Sequence, residues 1–161
     1  MIKTVKDFHQ RILNNRDYWI RKVIRLFTLT GNVFPQFLLI SALIAFADVY
    51  IGLKLALVWA MGYGLNLILK NTIKKLRPPK EHAKVHVKGY SLPSGHAFMS
   101  TVTYLGICLF FDFNIAAKIA LATIPFLLGL SRLYLKVHDI YDICAGWGFG
   151  ILYLYIFLQV S

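Results

Sequence analysis

The chain has 161 residues, 58% of them hydrophobic and 15% aromatic, and only 16% are charged where soluble domains carry about a quarter. That balance excludes an ordinary soluble globule, and the length allows one domain, residues 1–161, with no room for a second. A net charge of +11 would suggest nucleic acid on a soluble fold, but beside membrane segments basic residues meet anionic head groups or set topology, so no nucleic-acid partner is expected.

Residues 1–24 place Ile2, Val5, Phe8, Ile12, Trp19 and Val23 on one helical face, with Lys6, Arg11, Asp17, Arg21 and Lys22 over the rest. Such a stripe predicts an amphipathic interfacial helix, and a surface helix packed on a bundle would show it equally. The amino terminus lacks the continuous apolar core of a signal peptide, so insertion is expected to rely on the first spanning helix. That first span is expected over residues 26–47 and a second over 51–70. From Lys70 to Pro93 the sequence is basic, holds Pro78, Pro79 and Gly89, and reads as a loop. Further spans are expected over 96–111, 115–135 and 140–160. The fold expectation is therefore all-α: a polytopic bundle of about five transmembrane helices over residues 26–160, preceded by the interfacial helix. Cys108 and Cys144 fall in apolar segments without ligand-spaced partners and read as small buried hydrophobes, not as a disulfide or metal pair.

Three short polar blocks interrupt the apolar chain: Lys70 with Arg77 and Pro78; Pro93, Ser94, Gly95 and His96; and Ser131 and Arg132 followed by His138 and Asp142. Ionisable groups at the edge of a bilayer core are costly, so a cluster of them is a functional-site hypothesis by default. Counting crossings puts all three blocks on one face of the membrane, with the turns near Asp48 and Asn114 on the other.

The chemistry of the blocks is that of phosphate. His138 and Asp142, four residues apart, share one face of a helix. The carboxylate can hold one imidazole nitrogen as N–H and leave the other as a nucleophilic lone pair. A helix-start ion pair with no catalytic role has the same spacing. Ser94, Gly95 and His96 stand where a helix begins, and its exposed N–H groups and dipole attract anions. A plain serine cap would account for Ser94 but gives no use for an imidazole. Lys70, Arg77 and Arg132 add cationic donors, the arginines with a fork that fits phosphate oxygens. Lys74, Lys75, Lys80, Lys84, Lys88 and Lys136 read as ordinary positive residues flanking spans.

These residues closely resemble the pattern of the type 2 phosphatidic acid phosphatase (PAP2) family, K-x6-RP, PSGH and SR-x5-H-x3-D, matched here from Lys70 to Asp142 with internal spacings intact. The resemblance implies a metal-independent lipid phosphatase without cofactor. In it Lys70, Arg77, Ser94, Gly95 and Arg132 would bind phosphate, and His138, oriented by Asp142, would form a phosphohistidine. His96 would protonate the leaving group and then serve as base for water. The substrate implied is a membrane lipid phosphate at the bilayer surface. Short bacterial members include lipid A 1-phosphatases, phosphatidylglycerophosphate phosphatases and undecaprenyl diphosphate phosphatases. The near-minimal length and basic loop incline the reading to lipid A 1-phosphatase. A lipid phosphotransferase could share the phosphohistidine, and a non-catalytic anionic-lipid-binding protein would need the cations but not the histidines.

The resemblance implies a multi-pass protein of the bacterial inner (cytoplasmic) membrane with its site facing the periplasm. Charge argues the reverse. All but two of the eighteen Lys and Arg, Lys54 and Lys118, fall on the site face, and positive-inside counting would turn that face to the cytoplasm. The sequence carries no signal for an oligomeric state.

Overall fold

A computed structural model describes residues 18–79, 85 and 87–160 of the chain. Among the described residues the regular structure is entirely helical. In chain order the helices are α1 (Tyr18–Leu29), α2 (Val33–Phe46), α3 (Val49–Ile73), α4 (Gly95–Phe110), α5 (Ile115–Tyr134) and α6 (Ile140–Val160). Of these, α3, α5 and α6 are long and apolar enough to cross a membrane. The pair α1 and α2, bent by 52°, makes a fourth span if the two are counted together, and α4 is shorter. Only 28%, 28% and 22% of the spanning windows of α3, α5 and α6 is buried within the protein. The exposed remainder is rich in large apolar side chains such as Leu57, Phe126 and Tyr155, the surface a lipid solvent requires.

Two boundaries differ from the sequence expectation. The border between the interfacial helix and the first span, drawn at residues 24–26, is crossed by α1 without interruption. The chain bends instead after Leu29, where the N–H groups of Thr30, Gly31 and Asn32 bond back to Phe27, Thr28 and Leu29 in a tight terminal turn. Pro35, third in α2, starts the next helix where missing N–H groups cost least. Most of the expected interfacial helix, residues 1–17, lies outside the described residues. Lys70, expected to open a loop, sits in the last turn of α3, which ends where Lys74 takes a left-handed φ of 52° and its N–H bonds to the Lys70 carbonyl at 3.0 Å. Asp48 and Asn114 cap α3 and α5, accepting from the N–H groups of Ile51 and Ala117 at 2.8 and 2.9 Å.

The short helix α4 is the axis of the bundle: residues 97–104 are all buried, among α3, α5 and α6. It widens into a π turn over Thr101–Leu105, where the Thr101 and Thr103 hydroxyls reach the carbonyls of Ala97 and Met99 one turn back at 2.8 and 2.9 Å. One core cluster joins Ile40, Leu55, Tyr104, Ile107, Phe111 and Leu128, and a second joins Val58, Phe98, Met99, Val102 and Leu154. Buried Gln36 ties three helices together by accepting from Trp59 Nε1 at 3.0 Å and from the Thr103 hydroxyl at 2.8 Å.

The end of α4 that carries the second polar block is held against α6 by a small-residue contact. A Cβ on Gly146 would lie 2.8 Å from the Ser94 carbonyl oxygen and 3.1 Å from the Phe98 nitrogen, and Gly150 is equally close to α4 four residues on. Main chain cannot step aside as a flexible side chain can. Gly146→Val is therefore expected to destabilise the protein by roughly 1–3 kcal/mol through overpacking, and to separate Ser94 from Asp142. Gly148, with nothing within 4 Å of an added Cβ, serves as control. A lowered thermal midpoint in detergent for Gly146→Val but not Gly148→Ala is the expected result.

Candidate active site

The third polar block folds around a helix start. Lys136 takes a left-handed φ of 55° after α5, and the Val137 N–H returns to the Arg132 carbonyl at 3.2 Å, which turns His138 inward. Asp139 then begins α6 in a reciprocal cap. Its carboxylate accepts from the Asp142 N–H at 3.0 Å, and the Asp142 carboxylate accepts from the Asp139 N–H at 3.1 Å. Asp142 thus has the helix-start role that its spacing allowed, and its carboxylate also reaches the imidazole.

His138 Nδ1 lies 3.2 Å from Asp142 Oδ2, and its Nε2 lies 3.1 Å from Arg77 Nη1. A carboxylate can only accept and a guanidinium can only donate. The proton therefore sits on Nδ1 and the lone pair on Nε2. Burial pushes the ring from 6.5 down to about 4, with the charges of Arg77, Arg132 and Lys70 adding to the shift and the Asp142 hydrogen bond opposing it. At neutral pH the contact with Asp142 is a hydrogen bond to an uncharged ring, which is the state a nucleophilic histidine requires.

The remaining groups named by the sequence converge on this pair. Arg77 also donates to the carbonyls of Gly89 and Val137, each at 3.0 Å, and Lys70 Nζ donates to the Tyr90 carbonyl at 3.1 Å. The Ser94 N–H bonds to the Asp142 carbonyl at 2.8 Å, so the second block begins against the third. A Cβ on Gly95 would meet Asn66 Oδ1 at 3.4 Å and Lys70 Cε at 3.7 Å, ordinary contacts, so the protein alone does not demand glycine there. Arg132 Nη1 lies 3.4 Å from the Thr28 hydroxyl. His96 and Arg132 line one cavity, and the imidazole of His96 is packed so closely on Gly31 that a Cβ there would stand 2.7 Å from it.

Four buried side-chain polar atoms among the described residues have no hydrogen-bond partner: Ser94 Oγ, His96 Nε2, Arg132 Nε and Asn66 Nδ2. Leaving a buried polar group unsatisfied costs about 1–3 kcal/mol, so such groups cluster where a ligand is to meet them. Three of the four belong to residues singled out from the sequence.

Four further residues were not singled out. Lys75, read as a flanking charge, ion-pairs with both Asp139 and Asp142, the latter at 2.7 Å. Burial works against its charge, but the hydrogen bonds to the two carboxylates prevail and hold the ammonium above its usual range. Ser91 touches Asp142 through its hydroxyl and stands 3.1 Å from His138 Nδ1. Thr28 joins Arg132 to Ser131, whose hydroxyl is 2.9 Å away. Asn66, one turn before Lys70 on the same face of α3, was the one visible signal: an amide in an otherwise apolar run.

Comparison with known proteins agrees with this architecture. The family model described as PAP2 superfamily matches residues 51–161. Phosphatidylglycerophosphatase B of Bacillus subtilis (strain 168) is 28% identical over 153 residues, covering 88% of this chain and 75% of that protein. Sphingosine-1-phosphate phosphatase 1 of Rattus norvegicus is 30% identical over 119 residues, 68% of this chain but only 28% of its own length. Among solved structures, the transmembrane PAP2 type phosphatidylglycerolphosphate phosphatase from Bacillus subtilis superposes with a TM-score of 0.73 at 27% identity, over 86% of this chain and 74% of that one. LpxE of Aquifex aeolicus superposes with a TM-score of 0.74 at 23% identity, over 88% and 86% of the two chains, a likeness of fold. The bundle, its membrane-facing surface and a family match extending through all three polar blocks lead to one conclusion: the chain belongs to the PAP2 superfamily and is a multi-pass membrane phosphatase.

Proposed function

We propose that the chain hydrolyses the terminal phosphate of an anionic membrane lipid through a phosphohistidine on His138, with phosphatidylglycerophosphate as the leading substrate. The observation that carries the mechanism is the pair of contacts on the His138 ring, Nδ1 at 3.2 Å from Asp142 Oδ2 and Nε2 at 3.1 Å from Arg77 Nη1, which favours the lone pair on Nε2. Nε2 attacks phosphorus as the bond to the lipid oxygen breaks, and His96 gives that oxygen its proton. Lys70, Arg77, Arg132, the Ser94 hydroxyl and the N–H groups at Gly95 take the charge of the transferring phosphoryl group. Water then attacks phosphorus, His96 accepts its proton, and the P–N bond breaks to free His138 and release inorganic phosphate. The Asn66 amide, turned toward the same donors, is assigned to phosphate binding as well.

The substrate assignment leans on the 28% identity to phosphatidylglycerophosphatase B over most of both chains. The basic loop, which inclined the sequence reading to lipid A 1-phosphatase, suits any head group with two phosphates. We place the protein in a bacterial inner membrane with the site facing the periplasm, against the count of basic residues. In a background lacking Cys108 and Cys144, a cysteine at position 84 is expected to react with an impermeant maleimide in intact cells and one at position 114 is not; the opposite pattern would place the site in the cytoplasm.

The substrate test uses purified protein in neutral detergent with phosphatidylglycerophosphate, lipid A, phosphatidate and undecaprenyl diphosphate. The expected result is highest kcat/KM for phosphatidylglycerophosphate, unchanged by a chelator, since the groups facing phosphate are cations and neutral donors. Highest turnover on lipid A would make the chain a lipid A 1-phosphatase instead, and activity lost on chelation would overturn the metal-free scheme. Phosphate passing to an added alcohol faster than to water would make the chain a phosphotransferase.

A further inference from the structure

The cavity that reaches His96 and Arg132 has a volume of about 510 Å³ and is bounded on its other side by α1 and residues 85 and 87. Tyr18, Arg21, Lys22, Arg25 and Leu29 all line it. Their spacing of three, four, seven and eleven residues from Tyr18 makes them one face of α1, so three cations of that helix look into the cavity. The other face is of a different kind: Val23, Ile24 and Phe27 line an apolar groove with Leu127, Leu130 and Tyr134 of α5. Beside the cations, Tyr18 and Trp19 pack edge to face with centroids 5.4 Å apart, and Lys22 lies 4.9 Å above the Trp19 ring. Aromatic and basic groups arranged in this way belong at the level of lipid head groups.

His138 does not line this cavity, whereas His96 does. In an in-line displacement the leaving oxygen departs opposite the nucleophile and toward the group that protonates it. With His138 as nucleophile and His96 as acid, the alcohol that leaves must point into the cavity bounded by α1. The atoms next to the scissile oxygen then face Arg21, Lys22 and Arg25.

We infer that the basic face of α1 is a leaving-group subsite, which selects lipids whose departing alcohol itself carries an anion close to the ester oxygen. This rests on the phosphatase reading above and deepens it. Phosphatidylglycerophosphate, whose leaving alcohol bears a phosphodiester, has that chemistry. Phosphatidate, which leaves a neutral diacylglycerol, lacks it, and sphingosine-1-phosphate, which leaves an ammonium, opposes it. The subsite is built of side chains on a helix that precedes every motif residue, so the phosphate-binding pattern itself carries no trace of it.

The test compares phosphatidylglycerophosphate with phosphatidate in neutral detergent micelles, where no anionic bilayer can occupy the cations. Wild type is set beside R21Q/K22Q/R25Q and the charge-keeping R21K/R25K. The expected result is a ratio of kcat/KM for the two lipids that falls about tenfold or more in the glutamine variant, mainly through KM, and is kept within a few-fold in the lysine variant. Turnover of either lipid by the glutamine variant shows that it is folded, and an unchanged ratio would then overturn the subsite while leaving the phosphatase intact. A glutamine variant inactive on both lipids makes α1 part of the phosphate site or of the fold, and overturns selectivity as its role. No phosphate release from either lipid by wild type would remove both readings.

Discussion

His138→Ala is expected to lower phosphate release by about four orders of magnitude or more, because no other group presents a lone pair at that point. The protein should still insert and fold. Asp142 keeps its ion pair with Lys75, its contact with the Ser91 hydroxyl and its cap on the Asp139 N–H, so removal of the ring strands no charge. A substrate analogue that cannot be cleaved should still bind, since Lys70, Arg77, Arg132 and the α4 amino terminus are untouched. Substantial turnover by a folded His138→Ala protein, measured as inorganic phosphate from phosphatidylglycerophosphate, would remove the nucleophile assignment and leave the cations as a lipid-binding face.

Asp142→Asn is expected to cost about 10³- to 10⁴-fold in kcat with a much smaller change in KM, as when other orienting carboxylates are made amides. The reason is the tautomer. The carboxylate accepts from His138 Nδ1 and forces the lone pair onto Nε2, whereas an amide can donate to Nδ1 and move the proton to the attacking atom. The substitution also removes the charge that stabilises the imidazolium-like phosphohistidine. A structural role alone would lower stability and leave the kcat of the folded fraction unaltered. Lys75 retains Asp139 as a partner in this variant, so the ammonium is not left without a counter-ion.

Much of the candidate site's geometry was legible because it follows from short local spacings. His138 and Asp142 at i and i+4, Ser94 to His96 at a helix start and Arg132 near a helix end each follow from one turn of chain. Crossing parity then brought them to one end of the bundle. Less legible were contacts made across the fold. Nothing local distinguishes Lys75 from Lys74; what separates them is that Lys74 takes the left-handed cap while Lys75 lands against Asp142. Ser91 is likewise positioned by the Ser91 N–H bond to the Lys75 carbonyl at 2.8 Å, sixteen residues away in a stretch without periodicity.

The spans show the same division. Apolar runs located α3, α5 and α6 to within a few residues, since length and hydropathy decide those. They could not show that α4 is the buried axis of the bundle, because an apolar run reads the same against lipid as against protein. The bend at residues 30–32 was hidden for a related reason. Gly31 signals a possible break, but the ring that leaves no room for a Cβ there is that of His96, from a segment 65 positions later.

The central claim is a covalent bond between phosphorus and His138, and rapid quenching with ³²P-labelled phosphatidylglycerophosphate tests it most directly. The expected product is a phosphoprotein that is stable to base and labile to acid, forms within the first turnover, approaches one label per chain and maps to the peptide holding His138. Turnover with no trapped adduct and with inversion at phosphorus, or a label on any other residue, would contradict it.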